Sequence, residues 1–155
     1  MKEPLSKIYQ LRFEGLSEYR NAIWKILTDE FFRKWVEDDS TVLDLGCGYG
    51  EFINNLDGCR KHGMDLNPDA RESLDEGIKF HGQDCSEPWS FEPNSIDLIF
   101  TSNFFEHLPN KQALEKTVSH AKQALRPGGR IIALGPNISV LNGRYWDFWD
   151  HHVAL

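Results

Sequence analysis

Seven residues, Asp44-Leu45-Gly46-Cys47-Gly48-Tyr49-Gly50, set three glycines at alternate positions behind an aspartate. Glycine takes positive φ without a Cβ penalty, so the main chain there can approach a ligand closely. A dinucleotide turn, G-x-G-x-x-G, would need glycine where Glu51 stands, and that carboxylate would repel a pyrophosphate. A P-loop is excluded because no Gly-Lys-Ser/Thr follows. Asp65 stands about 20 residues beyond the start of the turn, a spacing from which a carboxylate accepts both ribose hydroxyls. Asp84 can accept from an adenine amino group, since a carboxylate only accepts. Three acids around a glycine turn suit a cationic, phosphate-free nucleoside better than an anionic dinucleotide.

Two of these acids have plainer readings: Asp65 as a cap ahead of Pro68, and Asp84 as part of an exposed turn. Glu106 and His107 are the candidates for catalysis, His107 because imidazole titrates near neutral pH, although packing or hydrogen bonding would also explain them. A group-transfer step can also run on position and desolvation without any general base. The stretch Tyr145 to His152 mixes aromatics, acids and two adjacent histidines. It shows no patterned third ligand, so no metal site is expected; the aromatics line an acceptor site or pack on the sheet. Tyr9 or Arg20 could reach a carboxylate of the cofactor.

The elements that must position these groups alternate along the chain. Leu16, Tyr19, Ile23, Ile26, Leu27, Phe31 and Trp35 recur at helical intervals and predict one long amphipathic helix over 16–37, with Ser17 as a cap. Thr41 to Leu45 is a short apolar run of the kind buried in parallel sheets, and a helix opens over 51–56. Weaker strands are expected at 61–65 and 78–81, with a helix led by Pro68 between them. Ser95 to Thr101 reads as a buried strand, and a helix over 111–125 carries Leu114, Val118, Ala121 and Leu125 on one face. A turn at 126–129 precedes a fifth strand at 130–134. This order predicts an α/β, doubly wound parallel sheet with ligands beyond the carboxyl ends of its strands.

A chain of 155 residues can bury one core, so a single domain is expected. The net charge of -7 and the lack of a Lys/Arg stripe argue against a nucleic-acid partner. No apolar run approaches the ~20 residues of a membrane span, and Met1 to Gln10 lacks a signal peptide's apolar stretch, so a cytoplasmic protein is expected. Three cysteines without CxxC spacing read as reduced thiols.

Val42 to Gly50, Asp65-Leu66-Asn67-Pro68, Asp84 and Leu125-Arg126-Pro127-Gly128-Gly129 together resemble the ordered motifs of class I S-adenosylmethionine-dependent methyltransferases, of the type 11/12 kind, over about residues 16–135. The resemblance implies a Rossmann-like core with strand order 3-2-1-4-5. It places the methionine end of S-adenosylmethionine at Asp44 and the backbone of Gly46, Cys47, Gly48 and Gly50, the ribose at Asp65, and the adenine at Asp84 and the Cys85 amide, with Leu66 and Asn103 completing the set. Ser102 to Leu108 is similar to the family's segment bordering the reactive methyl.

The implied function is methyl transfer to a small-molecule, lipid or saccharide acceptor, leaving S-adenosylhomocysteine. The alternatives are a nucleoside-binding or interaction domain that has lost the chemistry, and an NAD-dependent oxidoreductase. Residues 1–40 would form an N-terminal helical segment, 41–135 the cofactor core and 136–155 the start of an acceptor region. The family has seven strands, so its last two are expected to be missing here through truncation. The exposed edge of the fifth strand would then invite self-association.

Overall fold

The computed structural model describes residues 16–154. Five strands, β1 Thr41–Leu45, β2 Arg60–Asp65, β3 Lys79–Gly82, β4 Ile96–Ser102 and β5 Leu125–Leu134, form one sheet in the order β3-β2-β1-β4-β5. Every pairing is parallel. The order reverses beside β1, so the loop leaving β1 opens where a ligand can reach the strand ends.

β1 is buried along its whole length because both faces are covered. On one face Val42, Leu98 and Phe100 join Phe32, Phe52, Ile53 and Leu74. On the other, Leu43, Leu45 and Ile99 pack with Met64, Phe105, Ala113 and Ala121. Phe100 is the centre of the first cluster: its ring stacks on Phe52 at 3.7 Å between centroids and meets Phe32 edge-on at 5.0 Å and Trp24 at 5.9 Å.

The expected long N-terminal helix is three pieces. α1, Ser17–Leu27, continues as a π-helical turn, Thr28–Phe32, and a 3-10 turn, Arg33–Trp35. Leu16, not Ser17, holds the cap position, without a side-chain cap bond. The buried stripe also differs from the expected one. Trp24, Leu27, Thr28, Phe32 and Val36 face the sheet, while Leu16, Tyr19, Ile26 and Phe31 are exposed. Two apolar stripes compete on this segment, and the one whose aromatics reach Phe100 wins.

The helix after the glycine turn, α2, is only Glu51–Asn54, and the Pro68 element is a 3-10 turn, Pro68–Ser73. α3, Lys111–Ala124, is capped by the Asn110 side chain, which accepts from the Ala113 amide at 2.9 Å. It buries Ala113, Thr117, Ala121 and Ala124, whereas Val118 is exposed: small residues let the helix lie close to the sheet. The expected turn at 126–129 lies inside β5 as a bulge, since Leu125 pairs with Ile96 and Arg130 with Leu98. Arg126 pairs there with Asp97, whose other carboxylate oxygen accepts from the Thr41 amide at 2.6 Å. Beyond β5 come α4, Ile138–Leu141, and a 3-10 stretch, Asn142–Asp147. Among the described residues no helix is long and apolar enough to cross a membrane.

Candidate functional site at the carboxyl ends of the strands

Asp44 is the fourth residue of β1 and is 4% exposed. Burial raises its carboxyl pKa most, the neighbouring Asp65 adds to this, and the value is pushed up to about 8 despite the Ile53 amide. Glu51 acts in the same direction. Burial and neighbouring acids outweigh the one amide that favours its charged form, an environment that a cation would relieve.

Behind it the turn closes tightly. The amides of Gly46 and Cys47 both donate to the Met64 carbonyl, at 2.8 and 3.1 Å. Gly46 has φ 72°, and a Cβ there would sit 2.3 Å from the Phe104 ring. Glycine is therefore required twice over, by conformation and by space.

Asp65 ends β2 and clamps the turn. One carboxylate oxygen accepts from the Gly48 amide and the other from the Asn67 amide, each at 2.8 Å. The cap of the following 3-10 turn is Asn67, which accepts from the Asp69 amide, so Asp65 is not that cap. Burial raises its pKa, and the amides of Asn67, Gly48 and Leu66 oppose the rise. Each oxygen has two lone pairs, so both retain acceptor capacity for a diol. Leu66 beside it is 59% exposed, an apolar surface at the mouth of the turn.

Asp84 lies just past β3, exposed, and its Oδ1 accepts from both the amide and the hydroxyl of Ser86 at 2.8 Å. The Cys85 side chain turns inward: its Sγ lies 3.3 Å from Thr117 Oγ1, and burial pushes its thiol up to about 11. Cys47 is also buried and its thiol is raised, first by desolvation. All three cysteines are free. Asn103 follows β4 with φ 47°, its amide donating to the Leu134 carbonyl at 2.8 Å. Glu106, buried, and His107, half-buried, follow on a 3-10 turn, Phe105–His107.

The structure thus gathers Asp44, Gly46, Cys47, Gly48, Gly50, Asp65 and Leu66 around one turn. Asp84 and Cys85, and separately Asn103, lie on neighbouring loops at the same end of the sheet. Arg20 is engaged elsewhere: its Nη2 donates to Glu51 at 2.6 Å, tying α1 to α2. Tyr9 lies outside the described residues. Sequence reasoning missed Phe104, whose ring fills the space over Gly46. Nothing in the local pattern marks a residue that meets the turn 58 positions away from Gly46.

The acid pair makes the ligand-free fold pH-sensitive. Between pH 6.5 and 8 an unfolded aspartate holds no proton, whereas folded Asp44 holds one, so stability falls as pH rises through this window. The slope is at most about 1.4 kcal/mol per pH unit for one group. Below 6.5 the half-buried pair His62 and His81 works oppositely. Burial lowers both, His62 to about 4, so stability there rises with pH. Thermal melts at pH 6.5 and 8.0 are expected to show a lower midpoint at 8.0, and a smaller difference in Asp44→Asn. An equal difference in the two proteins would remove Asp44 as the cause.

A parallel sheet that reverses at a glycine turn, with carboxyls at the carboxyl ends of two adjacent strands, defines a doubly wound α/β domain of the kind that binds ligands at its strand ends. The methyltransferase-domain family matches residues 16–154, and the chain belongs to that family. It is 30% identical over 103 residues to phosphoethanolamine N-methyltransferase 2 of Caenorhabditis elegans, covering 59% of this chain and 23% of that protein. It is 27% identical over 113 residues to the ubiquinone biosynthesis O-methyltransferase of Paraburkholderia phytofirmans, covering 64% and 47%. The chain therefore spans less than half the length of these two relatives. A SAM-dependent methyltransferase structure from Archaeoglobus fulgidus shares the fold with TM-score 0.75 at 22% identity, covering 98% of this chain and 68% of that one.

The family's cofactor, S-adenosylmethionine, fits the residues present. Its sulfonium and ammonium would answer the buried Asp44, whose carboxyl burial and Asp65 push up, and its ribose would meet the Asp65 carboxylate that the Gly48 and Asn67 amides hold in place.

Proposed function

We propose that the chain carries the cofactor site of an enzyme that methylates a small-molecule, lipid or saccharide acceptor. The observation that carries this reading is the buried Asp44–Asp65 pair around the Gly46–Gly48 backbone, which favours a cation with a diol. S-adenosylmethionine supplies an electrophilic methyl on sulfur and leaves as S-adenosylhomocysteine. Asp44 and Asp65 bind and orient; the Phe104 ring over Gly46 keeps water from the turn. Glu106 and His107, following Phe104, front the acceptor side, where position and desolvation carry much of the acceleration.

The two relatives named above are an N- and an O-methyltransferase, so the family resemblance leaves the acceptor atom open. The acceptor class rests on residues 138–152, where Trp146, Phe148 and Trp149 are exposed, Trp149 at 97%. Such rings suit apolar or sugar-like surfaces. Trp149→Ala is expected to raise the KM for such an acceptor about 2- to 12-fold, the worth of one aromatic contact, with kcat held. An unchanged KM would take Trp149 out of the acceptor surface.

Titration calorimetry with S-adenosylhomocysteine tests the cofactor reading, one equivalent being expected. No heat at millimolar ligand with folded protein would sink it. Binding without transfer to any acceptor would replace the enzyme by a nucleoside-binding domain of the same fold.

A further inference from the structure

The segment after β4 meets the aromatic tail at one point. The Glu106 carbonyl accepts from the amides of His152 at 2.8 Å and Val153 at 3.3 Å, and buried Tyr145 donates its hydroxyl to the Val153 carbonyl. These bonds bring Glu106, His107 and His151 together, with one potential ligand atom from each within 4.8 Å of the others.

Glu106 is 5% exposed. A carboxylate on so buried a residue is favoured by a cation standing beside it. The histidines are prepared in a matching way. His107 Nδ1 lies 3.0 Å from the Asp150 carbonyl, with Asp150 Oδ2 at 3.3 Å, and His151 Nδ1 lies 2.9 Å from the Tyr145 carbonyl. A carbonyl only accepts, so each Nδ1 carries the proton and each Nε2 keeps its lone pair. Fixing the far nitrogen by a backbone carbonyl is how proteins orient metal-ligating imidazoles.

We propose that Glu106, His107 and His151 bind a divalent first-row transition ion, zinc being the representative probe, with a fourth position open. Two imidazoles and one carboxylate form a donor set suited to such an ion. Ligand bonds of about 2.1 Å place tetrahedral ligands about 3.4 Å apart, so the side chains close by about an ångström on the ion. Only His151 of the adjacent histidines takes part, and the other two ligands, Glu106 and His107, come from 45 and 44 positions upstream of it. The cysteines lie outside the cluster, and the stacked His62–His81 pair, 3.0 Å between ring nitrogens, is a separate feature. The proposal stands on this geometry, independently of methyl transfer.

Zinc titrated into the metal-stripped chain is expected to bind at one equivalent with micromolar or tighter affinity. Glu106→Gln and His151→Ala, each checked for folding by circular dichroism, should each weaken binding by at least about tenfold. His62→Phe should leave it unchanged, and a cobalt-loaded sample should show d–d bands without sulfur charge transfer. Absence of stoichiometric binding would overturn the site. So would affinity that survives both cluster variants, or that is lost with His62→Phe.

Discussion

Alanine at Phe100 is expected to lower stability by about 3–5 kcal/mol, the usual cost of emptying a buried phenylalanine site. Phe100 is 1% exposed on β4, and its ring contacts Phe52, Phe32 and Trp24, side chains from α2, the π-helical turn and α1. Three elements lose their common contact at once, and a β-strand backbone cannot collapse to fill the space. Phe100→Leu keeps most of the volume and should cost less, under about 2 kcal/mol. Urea denaturation with an unchanged m-value reads the difference directly. A loss below about 1 kcal/mol for the alanine variant would show that the N-terminal segment docks by other contacts.

Asp65→Ala carries the second large effect, because one side chain does two jobs. Its carboxylate holds the amides of Gly48 and Asn67, so removal leaves two donors without their acceptor and loosens the turn. In the proposed site the same oxygens would accept from the ribose hydroxyls. S-adenosylhomocysteine affinity is expected to fall about 5- to 150-fold, corresponding to about 1–3 kcal/mol for a lost buried acceptor. The thermal midpoint of the ligand-free protein should fall as well. Asp65→Asn retains one carbonyl oxygen and should lie between the two. Calorimetry and melting separate the roles: a lower midpoint with unchanged affinity would leave Asp65 a clamp and remove it from the ribose.

The consequences for the rest of the site follow from this division of labour. A carboxylate that fastens the turn is pre-organised by the fold, so the ligand meets a rigid acceptor and little ordering is lost on binding. Asp84 differs, since its Oδ1 already closes a turn with Ser86 on an exposed loop. Its contribution to binding should be the smaller of the two.

Much of this was legible in the chain. Thr41 to Leu45 is apolar with one aspartate, and it folds as a strand buried on both faces. The glycines at 46, 48 and 50 all take positive φ, as their spacing suggests. The strand order is the one the family resemblance implies. Local signals suffice here because a glycine turn between a buried strand and a helix is determined by its own residues. The helix faces were misread where periodicity offers two answers. Leu16, Tyr19, Ile26 and Phe31 form one apolar stripe and Trp24, Thr28 and Phe32 another. Only the position of Phe100 across the sheet selects between them. The same limit applies to α3, where the alanines rather than Val118 face the sheet because closeness outweighs side-chain size.

The sequence by itself determined the glycine turn, the position of its acids and the succession of strands, because these depend on neighbours within a few residues and on the family's spacing. Tertiary structure alone decided that Asp65 fastens Gly48, that Phe104 covers Gly46, and that Glu106 and His107 meet His151. These pairings join residues 17 to 58 positions apart, from Gly48–Asp65 to Gly46–Phe104. No local propensity carries such information; it arises when parallel strands bring their carboxyl ends to one edge and the loops between them pack together.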